Sequence, residues 1–290
     1  MSERDPRLTP ARPDLAAERL RGIVEAARFV AGEPRRVVVP SAGLRREPRS
    51  DAGIETEALH GDLVTVYEET IEGWAWAELA LDGYVGYLPV EALGAPEPAP
   101  THRVANLRTY VYPGPEMRLP PIAQLSMGAS VAVVGETEKR GLAYALLADG
   151  RAIVARHLVP LSARANDWVA VAERFVGTPY LWGGATAQGL DCSGLVQLAG
   201  RMAHLAVPRD TDLQEAGVGV AVPLDTGRTR PARGDLLFWP GHVAIRLDGK
   251  RLLHASGFHM EVVVEPEAAT LARLSRAGVH LRSIRRLTRP

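Results

Sequence analysis

Between Val37 and Val154 the chain is written in short runs of β-branched and aromatic residues, most of them closed by a glycine-bearing turn. Val37-Val38-Val39, Leu63-Val64-Thr65-Val66-Tyr67, Trp74-Ala75-Trp76-Ala77-Glu78-Leu79 and Tyr84-Val85-Gly86-Tyr87-Leu88 are separated by Gly61-Asp62, Glu72-Gly73 and Asp82-Gly83. Short strands at this spacing, with Asp-Gly as a hairpin turn, point to a small barrel over 36–95. The proline-rich stretch Gly94-Ala95-Pro96-Glu97-Pro98-Ala99-Pro100 is stiff and reads as a boundary. A second block over 101–162 repeats the order of runs. Val131-Ala132-Val133-Val134-Gly135 and Ala152-Ile153-Val154 are its clearest strands, and each block ends in a strand before proline, Pro89 and Pro160. The repetition suggests a diverged duplication.

The flanks follow a different period. Residues 1–35 are rich in Arg, Pro and Ala, and Leu15, Arg19, Leu20, Ile23, Val24 and Ala27 keep partial helical spacing after Pro13-Asp14. An N-terminal helical extension packed on a neighbouring domain is expected there. From 164 to 290 a helical stretch over 167–176 is broken by Gly177-Thr178-Pro179-Tyr180, and a second runs from Asp191 to about Leu205. Strands follow at Asp235–Trp239, His242–Leu247, Arg251–Ala255 and Met260–Val264, with Asp248-Gly249 as a hairpin turn. Helices followed by an antiparallel sheet make an α+β layout.

The 34 basic residues are matched by 34 acidic ones, so nothing favours a nucleic-acid partner. Arg282, Arg285 and Arg286 read as a solvated terminus. No apolar run approaches the roughly 20 residues of a membrane span. The first residues lack a basic start leading into an apolar run, so the expected location is cytoplasmic. One cysteine permits no internal disulfide and no structural zinc site, and HExxH and dinucleotide-binding glycine patterns are absent from the sequence. Neither a metal nor a cofactor is expected.

A single cysteine is either a small buried hydrophobe or a reactive thiol. Cys192 lies in Gly189-Leu190-Asp191-Cys192-Ser193-Gly194-Leu195-Val196, where Asp191 reads as an N-cap and the residues behind it keep helical spacing. The first turn of a helix favours an anion, so a lowered thiol pKa is expected there. Backbone N–H groups at that turn would also suit an oxyanion. A thiolate nucleophile calls for an imidazole partner. Of eight histidines, His242 and His254 fall on two strands joined by Asp248-Gly249, so one is the candidate base and the other its orienter. A half-buried polar residue at a strand end is the plain alternative for either one.

The C-terminal block resembles the NlpC-type peptidoglycan peptidases, a branch of the papain-like cysteine peptidases. The resemblance is carried by Gly177-Thr178-Pro179-Tyr180-Leu181-Trp182-Gly183-Gly184, Leu190 to Val196, Pro208-Arg209-Asp210-Thr211 to Gln214, Arg233 to Trp239, Gly241 to Ile245 and His254-Ala255-Ser256, in that order. Both β blocks resemble bacterial SH3-like domains, the first through Ala58-Leu59-His60-Gly61-Asp62 and Asp82 to Leu88. The resemblance implies Cys192 as nucleophile, His242 as general base, His254 as its orienter and Tyr180 at the oxyanion site. It also implies cleavage between γ-D-glutamate and a diamino acid in murein stem peptides. Two SH3-like domains ahead of the peptidase are similar to cytoplasmic, recycling-type members, which take peptides with a free N-terminal L-alanine. Asp191 and Ser193 would then contact that end of the substrate, with Glu57 and Tyr84, or Tyr87 in its place, supplied by the first SH3-like domain. Other acyl chemistry on the same frame, by an amidase or acyltransferase, and a non-catalytic wall-binding protein are the competing readings. The oligomeric state is left open.

Overall fold

The first block forms a seven-stranded antiparallel sheet. Its strand order is Ile54–Leu59, Ser41–Arg45, Val85–Pro89, Trp74–Leu79, Leu63–Glu69, Glu33–Val37 and Leu93–Gly94, in a computed structural model that describes residues 4–223 and 232–287. Alternate residues point inward: Val64, Val66, Ala75, Ala77, Leu79 and Leu88 join Val37, Leu44 and Tyr84 in one buried cluster. Gly86 has to be glycine because a Cβ there would lie 2.2 Å from Leu44 Cδ2 and 2.7 Å from the Arg45 carbonyl oxygen.

The second block pairs its strands in the same scheme. Glu33–Val37 pairs with the hairpin strand Leu63–Glu69 and with the last strand, Leu93–Gly94; His102–Val104 pairs likewise with Ser130–Val131 and Leu158–Pro160. Ser41–Arg45 pairs with Ile54–Leu59 and Val85–Pro89, as Arg108–Tyr112 does with Ala123–Ser126 and Ala152–Val154. A three-residue 3-10 turn precedes the last strand in both, at Val90–Ala92 and Ala155–His157. The repeated order seen in the sequence is thus also a repeated topology.

The N-terminal extension is not helical. Leu15–Ala17 and Arg28–Val30 form a parallel pair around a single 3-10 turn, Glu18–Leu20. Three consecutive residues, Leu15, Ala16 and Ala17, are fully buried, a pattern no single helix face supplies. Leu15 and Ala17 pack on Tyr67 and Trp76 of the first block, and the Arg12 guanidinium sits 4.3 Å over the Trp76 ring. Gly22, at φ +77°, interrupts the helical stretch midway. Burial on the neighbouring sheet outweighs a weak helical preference.

Residues 1–163 and 164–290 form two compact units. The second holds helices α1 (Trp168–Glu173), α2 (Cys192–Met202) and α3 (Thr211–Gly217). After them come strands β1 (Val220–Val222), β2 (Asp235–Trp239), β3 (His242–Arg246), β4 (Arg251–Ser256) and β5 (Glu261–Pro266), then α4 (Glu267–Arg276) and β6 (Ser283–Arg286). The sheet order is β1-β6-β2-β3-β4-β5, antiparallel throughout. The layout is α+β, as expected.

The basic C-terminal run is not a solvated tail. Arg285 and Arg286 belong to β6, which lies between β1 and β2, while Arg282 just before it is exposed. Arg286 bonds the fully buried Asp235 carboxylate at 2.6 and 3.0 Å, while Arg246 approaches it at 3.4 Å. A buried carboxylate must find positive partners, and these arginines supply them. Among the described residues no helix is long and apolar enough to cross a membrane, and no cluster of His, Cys, Asp or Glu could hold a metal ion.

Candidate active site

Helix α2 begins at Cys192 because Asp191 caps it. The Asp191 Oδ1 accepts from the Gly194 N–H at 2.7 Å, and Asp191 itself is extended, at φ −93° and ψ 179°. The helix is buried along nearly its whole length, from Cys192 to Gly200 and at Met202, and it packs against β3 and β4. Gly194 lets the helix start lie against the chain at Gly184: a Cβ would meet the Gly184 carbonyl oxygen at 2.3 Å. This close approach is the physical reason for a glycine two residues after the cysteine.

Asp191 does more than cap. Arg209, 1% exposed, donates to Asp191 Oδ1 at 2.9 Å and Oδ2 at 2.6 Å, and to Ser193 Oγ at 2.8 Å. Ser193 Oγ and the Gly183 N–H also donate to the same carboxylate, at 3.2 and 3.0 Å. Five hydrogen bonds therefore converge on Asp191, counting Gly194. Nothing local in the sequence assigns a role to Arg209; a buried guanidinium opposite a buried carboxylate arises only on folding. Gln214 ties α3 to this region by donating to the Ser193 and Pro208 carbonyls.

The Cys192 Sγ lies 3.8 Å from the Thr211 hydroxyl and 4.0 Å from the Gly241 carbonyl oxygen, next to the residue that opens β3. Its pKa is not lowered, contrary to the expectation for a helix start. Burial pushes the thiol up and the Asp191 charge adds to that; the Val243 N–H, Thr211 and Arg209 pull the other way without prevailing. Tyr180 is half-buried, with its ring beside Gly257. Burial, with the charges of Cys192 and Asp191, pushes its hydroxyl up to about 12, so it stays a proton donor at neutral pH.

The two histidines meet. His242 Nε2 and His254 Nδ1 are 2.7 Å apart, and His254 is 1% exposed. Register explains the contact: Arg246 of β3 and Glu265 of β5 both stand opposite Leu252 of β4, so His242, His254 and Glu265 share one sheet face. His254 Nε2 lies 2.8 Å from Glu265 Oε2, and Glu265 also takes His259 at 2.7 Å, Arg273 at 2.6 Å and Thr270 at 3.1 Å. Burial, followed by the His254 and Arg273 charges, depresses His242 to about 3. Burial would raise Glu265, yet its bonds to His259 and His254 hold it down to about 2. Burial also lowers His254, against the pull of Glu265.

Cys192, Asp191, Ser193, Tyr180, His242 and His254 all belong to the second unit. Glu57 and Tyr84 belong to the first. Glu57 is half-buried and accepts from Ser41 at 3.1 Å, while Tyr84 is 1% exposed in the sheet's core cluster. The Tyr87 hydroxyl accepts from Arg12 at 2.7 Å.

Residues 177–273 match the NlpC/P60 family model, and residues 44–93 match the bacterial dipeptidyl-peptidase SH3 domain. Residues 177–273 thus form an NlpC/P60-family domain behind an SH3 domain. The matched stretch contains Tyr180, Asp191, Cys192, Ser193, His242 and His254. The dipeptidyl-peptidase 6 of Lysinibacillus sphaericus is 36% identical over 103 residues, which cover 36% of either chain. A γ-D-glutamyl-L-lysine dipeptidyl-peptidase of Bacillus subtilis is 33% identical over 122 residues, covering 38% of this chain and 40% of the relative. The matches thus span well under half of those relatives. An NlpC/P60 family protein from Bacillus cereus shares the fold at a TM-score of 0.72 and 20% identity, covering 88% of this chain and 99% of that one.

Proposed function

We propose that this protein is a cysteine endopeptidase that cleaves the γ-D-glutamyl–diamino acid bond of murein stem peptides bearing a free N-terminal L-alanine. The observation that carries the reading is the His242–His254 pair, closed at 2.7 Å on the strands against which the Cys192 helix packs. The relatives named γ-D-glutamyl-L-lysine dipeptidyl-peptidase support the same bond as substrate.

The chemistry follows from the resting charges. A raised thiol and a histidine depressed to about 3 make a neutral pair at pH 7. Cys192 is therefore deprotonated as it attacks: His242 takes the proton while the sulfur bonds the γ-carbonyl carbon. The Tyr180 hydroxyl donates to the developing oxyanion. Collapse breaks the amide, and His242 returns its proton to the departing amine. The thioester left on Cys192 is then attacked by water, which gives its proton to His242. The carbon–sulfur bond breaks, the γ-glutamyl product leaves as an acid, and the thiol regains a proton.

An ammonium at the substrate's end needs an acidic partner once it leaves water. Asp191 keeps its carboxylate charge while paired with Arg209, so Asp191, with the Ser193 hydroxyl beside it, is the acid we assign to that end. We read the second β block as a second SH3-like domain, since it repeats the pairing scheme of the first. We propose that the reaction serves cytoplasmic recycling of released wall peptides, a reading supported by the two SH3-like blocks ahead of the NlpC/P60 domain, and fractionation of the producing cell would check it.

Mass spectrometry of products from L-Ala-γ-D-Glu-meso-diaminopimelate, from its lysine counterpart and from their N-acetylated forms tests the reading. The parent protein should release the diamino acid from a free peptide, Cys192→Ala should release none while staying folded, and acetylation should slow cleavage at least tenfold, or about 1.4 kcal/mol. Full activity of Cys192→Ala would reject the nucleophile, and equal rates on free and acetylated peptides would reject the free-amine requirement.

A further inference from the structure

Glu265 lies one hydrogen bond beyond the Cys-His-His set, and its position decides where the protons of that set sit. A carboxylate only accepts. His254 Nε2, 2.8 Å from Glu265 Oε2, must therefore carry hydrogen. Neutral His254 then has a bare Nδ1. The 2.7 Å contact between that Nδ1 and His242 Nε2 needs one proton, and only His242 can provide it. His242 is thereby protonated on Nε2 and bare on Nδ1. The opposite arrangement would face a bare His254 Nε2 with a carboxylate oxygen, two acceptors with no proton between them.

We propose that Glu265 is a positioning residue that sets the tautomers of both His254 and His242, so that Nδ1 of His242 is the atom available as base. This rests on the thiol-peptidase reading above and extends it by one residue. The carboxylate is itself held in place from two elements. Arg273 and Thr270 of α4 donate to Oε2 at 2.6 and 3.1 Å, and His259, in the turn between β4 and β5, meets Oε1 at 2.7 Å. His254 is 1% exposed, so water does not compete for its ring nitrogens. The other ring nitrogen of a histidine is governed by the bond the first one makes, and here two such bonds are chained. When His242 takes the thiol proton, the positive charge lies two hydrogen bonds from a carboxylate. That favours the charged ring without Glu265 touching substrate.

The experiment is long-range proton–nitrogen NMR of the full-length protein with 15N-labelled histidine at pH 7, paired with steady-state kinetics on the free stem peptide. The parent should show the Nε2–H form at both His242 and His254; a proton on Nδ1 of either ring in the parent overturns the proposal, whatever the variants do. Glu265→Leu removes the acceptor. It should give a mixed or reversed tautomer at His242, a displaced pH profile and a fall of about 100-fold in kcat with KM little changed. Glu265→Gln should keep an oxygen toward His254, because Arg273 and Thr270 both donate at that position. It should therefore retain the Nε2–H forms and stay within about tenfold of the parent kcat. A folded Glu265→Leu with parental tautomers and kcat would overturn the proposal, as would equal losses in Leu and Gln. The spectra do not depend on turnover. Should the peptide not be cleaved at all, the peptidase reading fails while the expected tautomers still uphold the role of Glu265.

Discussion

Replacing Arg209 with methionine tests the buried pair that supports the start of the Cys192 helix. Arg209 is 1% exposed, and its head group donates to both Asp191 oxygens and to Ser193 Oγ. Methionine keeps much of the aliphatic volume and removes the charge. Breaking a buried ion pair from one side costs about 3–5 kcal/mol, because the remaining charge stays uncompensated. Three donors, from Gly183, Ser193 and Gly194, still reach the Asp191 carboxylate, which places the expected loss near the lower end, about 3 kcal/mol. For a unit of this size that lowers the midpoint of its thermal transition by roughly 12 °C. Asp191→Asn combined with Arg209→Met removes both charges and keeps an amide oxygen to cap Gly194. The double variant should recover at least about 2 kcal/mol relative to the sum of the two single changes. Chemical denaturation followed by fluorescence, with calorimetry to resolve the transition of residues 164–290, gives each value. The thiol provides a second readout: Asp191 pushes Cys192 up and Arg209 pulls it down. Arg209→Met should therefore alkylate more slowly than the parent at a given pH, and the double variant should recover. A loss under about 1 kcal/mol for Arg209→Met, or strict additivity in the double variant, would refute the argument.

Two further outcomes follow from the same geometry. His242, depressed to about 3, is neutral above that pH, and burial keeps Cys192 a thiol at neutrality. Alkylation by iodoacetamide should therefore rise steadily with pH up to and beyond 8, whereas a plateau between pH 4 and 8 would mark a resting thiolate–imidazolium pair and contradict this site. Gly194→Ala would place a Cβ 2.3 Å from the Gly184 carbonyl oxygen, and backbone cannot swing aside as a side chain can. Its expected cost is about 2–3 kcal/mol with loss of activity, checked by thermal melting and peptide turnover; a fully stable, active variant would show that the helix start has slack.

Much of the molecule was legible because its signals are local. Strands show as short apolar, β-branched or aromatic runs, Asp-Gly marks hairpins, and Asp191 announces a helix start, so α2, the sheet strands β2 to β5 and the strand-rich character of the first two blocks follow from neighbours in the chain. The N-terminal segment was misread for the opposite reason. Its helical spacing is real, but Leu15, Ala16 and Ala17 are buried together against Tyr67 and Trp76, partners about fifty residues away or more. The basic C-terminus was misread in the same way, since its place beside β2 and the buried Asp235 cannot be seen from charge alone.

The site divides along the same line. The residue types, their order and the pairing of the strands that carry His242 and His254 were determined by the sequence alone, because a cap and a hairpin turn are short-range properties. Three things were decided by tertiary structure. Arg209 was brought onto Asp191 from eighteen residues away, Glu265 was set behind His254 by the β4–β5 register, and the thiol was buried deeply enough to reverse the pKa shift expected of a helix start. Register and burial depend on how distant segments pack. The sequence could therefore single out Cys192 and its candidate histidines, while the charges those groups carry at rest came from the fold.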